Sequence, residues 1–351
     1  MYDVARRAGV SIATVSFAFR QPTRVRETTR EAVLLAARDL GFVPSGSARE
    51  LAQGSTGTLG MYSFDLLLAP PESDVEVEDE DDRSMIDANP ELYPLYVDEI
   101  QNGFVLECRR RGKAVLLGSE SQPSSSVIDI AGRVDGLALF PGERLDDMLE
   151  QVARRIPLVA FSMDTALPGI QHIRADNRGG AWDIVDHLVG DHHYRDLAFV
   201  GSLATFDSTE RFLGFKEALH AYGITPPNNP MDPYDITGNP SLSALANVVE
   251  SGNLPQALVC ASDQAAIAVL ALLRRFDINV PREVAVTGFD GILAGRLTNP
   301  TLTTVRQPME AMGKLAAHLL TLPVTTDPVP TKVRMFPVRM VIGRSCGCPG
   351  A

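Results

Sequence analysis

Residues 3–20 read DVARRAGVSIATVSFAFR, from Asp3 to Arg20, and their spacing sets the reading of everything downstream. Val4, Ala5 and Ala8 recur at helical period before Gly9, and Ser11 opens a second segment in which Val15, Ala18 and Phe19 share a face. The pattern predicts a helix, a tight turn and a second helix. Gly9 can take positive φ without a Cβ clash, and the Ser11 hydroxyl can accept from the free N–H groups of the second helix. With Val15, Ala18 and Phe19 turned inward, Ile12, Ala13, Ser16, Phe17 and Arg20 turn outward. That surface is too apolar for a helix that meets only water, and it suits one that enters a groove.

A third run extends from Glu27 to Leu40 through Ala32, Val33, Leu35 and Ala36, stopped by Gly41 with Pro44 beyond. Ser45 to Gln53 is then a short helix-compatible stretch with one large apolar residue, Leu51, before the flexible GSTG of residues 54–57. Two caps look weak: only Met1 and Tyr2 precede Asp3, and Arg26 stands ahead of the third helix. This order of parts, YDVARRAGVSIATVS, then VRETTREAV, then GFVPSGSARELAQG, resembles the DNA-binding headpiece and hinge of the lactose-repressor (LacI/GalR) family over about fifty residues. The resemblance implies a DNA-binding set of Tyr2, Ser11, Ile12, Ala13, Thr14, Ser16, Phe17, Arg20, Arg24, Ala48 and Leu51, with Leu51 as a minor-groove wedge at the operator centre. The family commonly has Arg where Phe17 stands. Arg grips guanine O6 and N7 with two bonds, about 1–3 kcal/mol of discrimination, whereas Phe touches a thymine methyl or stacks, so the operator preference should differ at that step.

Charge separates the same regions. The 351 residues carry a net charge of −12, yet residues 1–54 hold eight Arg against five acidic residues. Only the first unit suits a polyanion, and the acidic remainder would repel phosphate. A hydrophobic content of 45% is ample for more than one core. There is no apolar run of membrane-spanning length and no signal-peptide pattern at the N-terminus, so a cytoplasmic chain without membrane contact is expected.

From residue 58 onward, short apolar strands alternate with helices. Strands are predicted at 58–63, 114–117, 136–140, 158–161, 172–175, 197–200, 257–260 and 284–288, with helices between, including 96–111, 179–189, 209–222, 263–276 and 308–320. Such βα alternation implies parallel sheets covered on both faces, and ligands of such sheets bind beyond the carboxyl ends of the strands. The runs IRADNRGGAWDIVDHL, STERFLGFKEAL and ALVCASDQAAIAVLALLRRFDINVPREVAVTGFDG resemble the effector-binding body of the same family. The expected fold is an N-terminal all-α helix-turn-helix headpiece (1–44), a hinge helix and linker (45–57), and a two-lobed α/β body like periplasmic binding proteins, built of two doubly wound parallel sheets (58–351). The first lobe is expected over about 58–165 with a crossover near 295–325, and the second over 166–294 with 326–345. By resemblance, effector-binding roles fall to Asp65, Phe140, Asp164, Arg211, Ser262, Asp263 and Asp290. Arg211 can donate two parallel bonds to ligand hydroxyls and Asp290 can accept from a vicinal pair; the alternative for such buried charges is an internal salt bridge.

Other features have plainer readings. The acidic block at 72–87 reads as a solvated loop, with an acidic lip over the cleft as the sharper alternative. The stretch between Gly118 and Gly136 is much shorter than the helix-containing segment the family resemblance implies there, so one covering helix is expected to be reduced. Four Cys give no disulfide framework; Cys108 and Cys260 read as inert core residues, while Cys346 and Cys348 could bind a metal or cross-link but lack a partner His or Cys at ligand spacing. Asp191-His192-His193-Tyr194 reads as cap and surface, because adjacent His side chains diverge on a turn and no third ligand is evident. No cofactor, metal or catalytic motif is expected. The function implied is a homodimeric, or tetrameric, transcription factor, most often a repressor, that binds double-stranded operator DNA under control of a small molecule, expected to be a sugar or sugar derivative, held between the lobes. A solute-binding protein of the same body fold is the alternative, and it predicts a signal peptide and no headpiece.

Overall fold

The computed structural model describes residues 1–42, 55–63, 95–119, 126–140, 146–163, 169–232, 242–323 and 331–349, with backbone alone at 20, 95, 119 and 146–148. The chain divides into two compact units, Met1–Thr56 and Gly57–Ala351.

The first unit holds α1 (Tyr2–Ala8), α2 (Ile12–Arg20), a 3-10 turn at Pro22–Arg24 and α3 (Glu27–Asp39). Gly9 ends α1 at φ 65, ψ 33, which lets its N–H reach back to the carbonyls of Ala5 and Arg6. The Ser11 hydroxyl accepts from Thr14 N at 3.0 Å and caps α2. The starts of α1 and α3 have no side-chain cap, as Met1 and Arg26 foretell. Val4, Ala5, Val15, Ala18, Val33, Ala36 and Ala37 close a small core. Leu35 and Leu40, expected on the inward face of α3, are 59% and 45% exposed. Val33, Ala36 and Ala37 are the residues of α3 that enter the core.

The second unit carries a six-stranded parallel sheet of β1 (Thr58–Ser63), β2 (Ala114–Ser119), β3 (Leu137–Phe140), β4 (Leu158–Phe161), β5 (Ile170–Ala175) and β10 (Lys332–Phe336), in the order β10-β5-β4-β3-β1-β2. A second sheet, of β6 (Leu197–Val200), β7 (Ala257–Cys260) and β8 (Ala285–Thr287), runs in that order, and β9 (Thr304–Arg306) pairs antiparallel with β11 (Arg339–Val341). Period-2 alternation gives the inner strands two buried faces, whereas the edge strand β10 is exposed or half-buried throughout. In β3, Ala138 and Phe140 enter the core beneath α4 (Leu95–Arg110) and α12 (Met309–Leu320), while Leu137 and Leu139 enter the opposite core with Val127 and Ile130. In β7, Ala257 and Val259 face one core, Leu258 and Cys260 the other.

The two glycines that cross between α4 and α12 set their distance. A Cβ on Gly313 would lie 1.9 Å from the Ile100 carbonyl, and one on Gly103 would lie 2.1 Å from that of Glu310. These backbones touch because neither residue has a side chain. The short stretch after β2 forms only a five-residue helix, α5 (Val127–Ala131), followed by α6 (Asp146–Ala153). The lobe boundary differs from the sequence expectation near residue 165. Strands β5 and β10, expected in the second lobe, hydrogen-bond to each other and, through β4, to the first sheet. β5 pairs with the preceding strand β4 and carries the distant β10 with it, and pairing of either kind leaves no trace in local periodicity, so the boundary falls after Ala175 rather than before it.

Second-lobe helices are α7 (Asn177–Asp186), continued as a π turn over His187–Asp191, then α8 (Phe206–Ala221), α9 (Ser243–Glu250), α10 (Asp263–Arg275) and α11 (Leu293–Leu297). Among the described residues no helix is long and apolar enough to cross a membrane.

Candidate functional site: a DNA-reading helix and an interlobe polar cluster

In the first unit, α2 presents Ile12, Ala13 and Ser11 to solvent, while Thr14, Ser16 and Phe17 are half-buried and Val15 is fully enclosed. Tyr2, at the start of α1, is 73% exposed. Phe17 stands outside the headpiece core, and the Arg24 guanidinium sits over its ring at 4.6 Å while donating to Gln21 Oε1 at 2.9 Å. The aromatic ring thus holds a cation beside the position where the family resemblance expects one. The Arg20 side chain, Ala48 and Leu51 lie outside the described residues.

In the second unit the carboxyl ends of the two sheets supply a polar cluster. Ser162 follows β4 at φ 53 and donates to Asp207 Oδ2 at 2.6 Å, joining the end of a first-lobe strand to the first turn of α8. Asn177, at the start of α7, donates to Asp207 Oδ1 at 2.7 Å and accepts from Arg211 Nε at 2.8 Å. Arg211 continues to the Ala261 carbonyl at 2.5 Å and to Asp290 at 3.0 Å, and lies over the Phe289 ring at 3.9 Å. Asp290, at φ 109, also accepts from Gln307 Nε2 at 2.7 Å. Tyr96, near Asp207, Asp290 and Arg211, is edge-on to Phe140, which stacks on Phe161 at 4.7 Å within the first-lobe core. Arg306 on β9 forms an ion pair with Glu99 on α4 and so links a first-lobe helix to the β9–β11 pair.

Two polar atoms here are buried without a hydrogen bond of ordinary geometry: the Tyr96 hydroxyl and Gln307 Oε1. Burial, with Asp207 nearby, pushes the Tyr96 hydroxyl up, keeping it a donor. An enclosed donor and acceptor beside an Arg–Asp pair can engage a polyhydroxylated ligand.

Of the predicted effector residues, Arg211, Asp290 and Phe140 stand in or beside this cluster, and Asp65 and Asp164 lie outside the described residues. Ser262 and Asp263 have different occupations. The Ser262 hydroxyl caps α10 by accepting from Ala265 N at 3.1 Å. Asp263, fully enclosed, accepts from Ile292 N at 2.8 Å and from the Thr304 hydroxyl. It therefore clamps the β8–α11 turn. Asn177, Asp207, Tyr96 and Gln307 are absent from the sequence expectation; Asn177 and Asp207 each sit at a helix start, where a polar residue reads equally well as a cap.

Burial pushes the Asp263 carboxyl up to about 8 and the Asp290 carboxyl up to about 6. The ordinary Asp value is about 3.9, so the folded protein holds these protons more tightly than the unfolded chain. The contribution of these two carboxyls to stability is thus fully present below about pH 4 and is lost as pH rises through their folded values, about 6 for Asp290 and about 8 for Asp263. Asp263→Asn can still accept from Ile292 N–H through Oδ1 and donate to Thr304 through Nδ2, and it does not titrate. Urea unfolding of both proteins between about pH 5 and 9 should show a declining wild-type curve and a shallower one for the variant; parallel curves would exclude Asp263 as the source.

The N-terminal 45 residues match the family model for bacterial regulatory proteins of the lacI family, and residues 185–346 match a periplasmic binding protein-like domain. The chain belongs to the lactose-repressor family. It is 29% identical to the transcriptional regulator GalR of Salmonella typhimurium, covering 99% of this chain and 96% of that one. It is also 27% identical to the transcriptional repressor PurR of Photobacterium profundum (91% and 90%) and 25% identical to catabolite control protein A of Priestia megaterium (98% and 98%). Its fold is that of the Lac repressor dimer solved bound to operator and an anti-inducer, with a TM-score of 0.77 at 22% identity over 98% of both chains. The regulator CelR in complex with cellobiose superposes with a TM-score of 0.61 at 24% identity, again over 98% of both chains. This LacI-family regulator is accordingly a DNA-binding transcription factor with a helix-turn-helix reader and a body of the small-molecule-binding type.

Proposed function

We propose that the protein is an effector-controlled repressor that binds a near-palindromic operator as a homodimer, with Ile12, Ala13, Ser16 and Phe17 of α2 at the base edges and Arg24 at or beside the phosphates. The observation that carries this reading is the interlobe cluster: Ser162 from the first lobe meets Asp207 from the second, next to Arg211 and Asp290. A ligand that takes the Arg211 and Asp290 groups, the Tyr96 hydroxyl and Gln307 Oε1 rearranges that junction, and its preference for one lobe arrangement is the energy of the switch. A sugar or sugar derivative fits, since its vicinal hydroxyls donate to a carboxylate and accept from a guanidinium while its apolar face meets Tyr96. Pairing of two chains is supported by the edge strand β2 and the adjacent α4, which expose Leu117, Val105 and Leu106.

The test begins with selection of duplex DNA from a random pool by the full-length protein, followed by thermal-shift screening against mono- and disaccharides, nucleosides and amines. A palindromic consensus is expected, together with at least one sugar that both raises Tm and changes affinity for that duplex. If no duplex is enriched over nonspecific DNA, the operator reading fails; if only a nonsugar shifts Tm, the sugar assignment fails.

A further inference from the structure

The π turn that ends α7 and the C-terminal tail meet at a second cluster, which shares no residue with the effector site. His187 Nε2 lies 3.4 Å from Cys346 Sγ, 3.2 Å from His192 Nε2 and 3.7 Å from Cys348 Sγ, and His192 Nε2 lies 3.3 Å from Cys348 Sγ. All four donor atoms lie within 4.8 Å of one another. The adjacency reading of the histidines fails here because the partner of His192 is His187, one turn back on the same helix, and not His193. The two cysteines find their histidines across 159 residues of sequence, through the fold alone.

We propose that His187, His192, Cys346 and Cys348 form a closed, tetrahedral Cys2His2 site for one zinc ion that pins the C-terminal tail to the second lobe. Zinc bonds of about 2.0–2.1 Å to nitrogen and about 2.3 Å to sulfur span a tetrahedron with edges of about 3.4 Å between nitrogens and about 3.6 Å between nitrogen and sulfur. The four His–His and His–Cys edges given above fall within a few tenths of an ångström of these, and no two of the four donor atoms are more than 4.8 Å apart. Both histidines offer the same atom, Nε2. The His187 Nδ1–H donates to Asp191 Oδ2 at 2.8 Å, which fixes the ring with its Nε2 lone pair toward the cluster, the usual outer arrangement around a metal-bound imidazole. On the tail side, Thr303 donates its hydroxyl to Cys346 Sγ at 3.1 Å, and Tyr194 donates to the Cys346 carbonyl at 3.2 Å.

The donor set selects the ion. Two thiolates and two imidazoles in a tetrahedron favour zinc over the hard cations, which take oxygen ligands and higher coordination. With four protein ligands no position remains for water or substrate, so the role is structural. The tail is already tied to the sheet by Ser345, whose hydroxyl donates to the Val286 carbonyl at 2.5 Å and accepts from Thr303 N at 2.9 Å. A metal clip across so long a loop removes more unfolded-state entropy than a local one.

The protein purified at full length in reductant and dialysed against metal-free buffer should retain about one zinc per chain by elemental analysis. After zinc removal, cobalt(II) titration should give the intense visible bands of a tetrahedral ion and a thiolate charge-transfer band in the near ultraviolet. Cys348→Ser and His192→Gln, both at half-buried positions, should abolish zinc retention, and Asp191→Asn should weaken it by about tenfold or more without removing a ligand. The wild-type titration needs no variant, so misfolding of one substitution does not protect the proposal. Reduced wild-type protein that holds far less than one zinc and gives only the weak spectrum of octahedral cobalt overturns it, as does a Cys346–Cys348 disulfide that persists in reductant.

Discussion

Arg211→Ala should leave operator affinity in the absence of ligand within a few fold of wild type and abolish the response to effector. Arg211 ties Asn177, Ala261 and Asp290 together from one buried guanidinium. Two charge-assisted bonds to a ligand are worth about 1.5–3 kcal/mol each, so ligand affinity should fall by about two orders of magnitude or more. The truncation also strands the Asp290 carboxylate in the interior, a cost of about 3–5 kcal/mol to the body. The structural and ligand-binding contributions separate in the double variant Arg211→Met with Asp290→Asn. A neutral pair of similar volume should recover much of the lost stability, because no unpaired charge is left, while ligand affinity stays low. Calorimetric titration of the ligand found by screening, beside urea unfolding, measures both. Ligand binding that returns along with stability would remove Arg211 and Asp290 from the site and make them a brace.

Val15→Asp should have the opposite signature: operator binding lost and ligand binding retained. Val15 is completely enclosed in a core of seven buried residues, four of them alanines. So small a core leaves a margin of a few kcal/mol, and an unpaired buried carboxylate costs at least that much. The headpiece should therefore be unfolded and its specific affinity for the selected duplex reduced by at least about 100-fold, to the nonspecific level. The body is a separate compact unit, so its ligand-induced Tm shift should be unchanged. Fluorescence anisotropy with the selected operator checks the first statement and thermal shift the second; specific binding within tenfold of wild type would mean that α2 does not need its buried face to read DNA.

The headpiece was largely legible because its signals are local. Gly9 is needed for one left-handed residue, Ser11 for one cap, and Val15 with Ala18 for one face, each inside a span of ten residues. Spacing did not say which members of the third run pack inward: Ala37, not among its periodic residues, is buried, and Leu35, which is among them, is exposed. Most strands of the body were equally plain, since a doubly covered parallel strand is an unbroken apolar run; β6 and β7 match their sequence-drawn bounds at both ends. The short strands β9 and β11 carry too few residues for a pattern to rise above its surroundings.

The effector cluster was half legible. Arg211 and Asp290 are charged residues in otherwise apolar runs, and such residues need partners wherever they are buried. Which partner each takes depends on which helix starts and strand ends converge, so Asn177, Asp207 and Gln307 could not be named, and Ser262 and Asp263 turned out to cap and clamp. By itself, then, the sequence determined the order of the parts: a basic three-helix reader, then an acidic body of alternating strands and helices, because hydrophobic period, caps and charge are properties of neighbouring residues. Only the tertiary structure decided where β5 and β10 belong, that Asp290 closes on Arg211, and that two histidines of one helix end meet two cysteines of the tail. Those pairings join residues tens to hundreds of positions apart, and proximity of that kind exists only after the chain has folded.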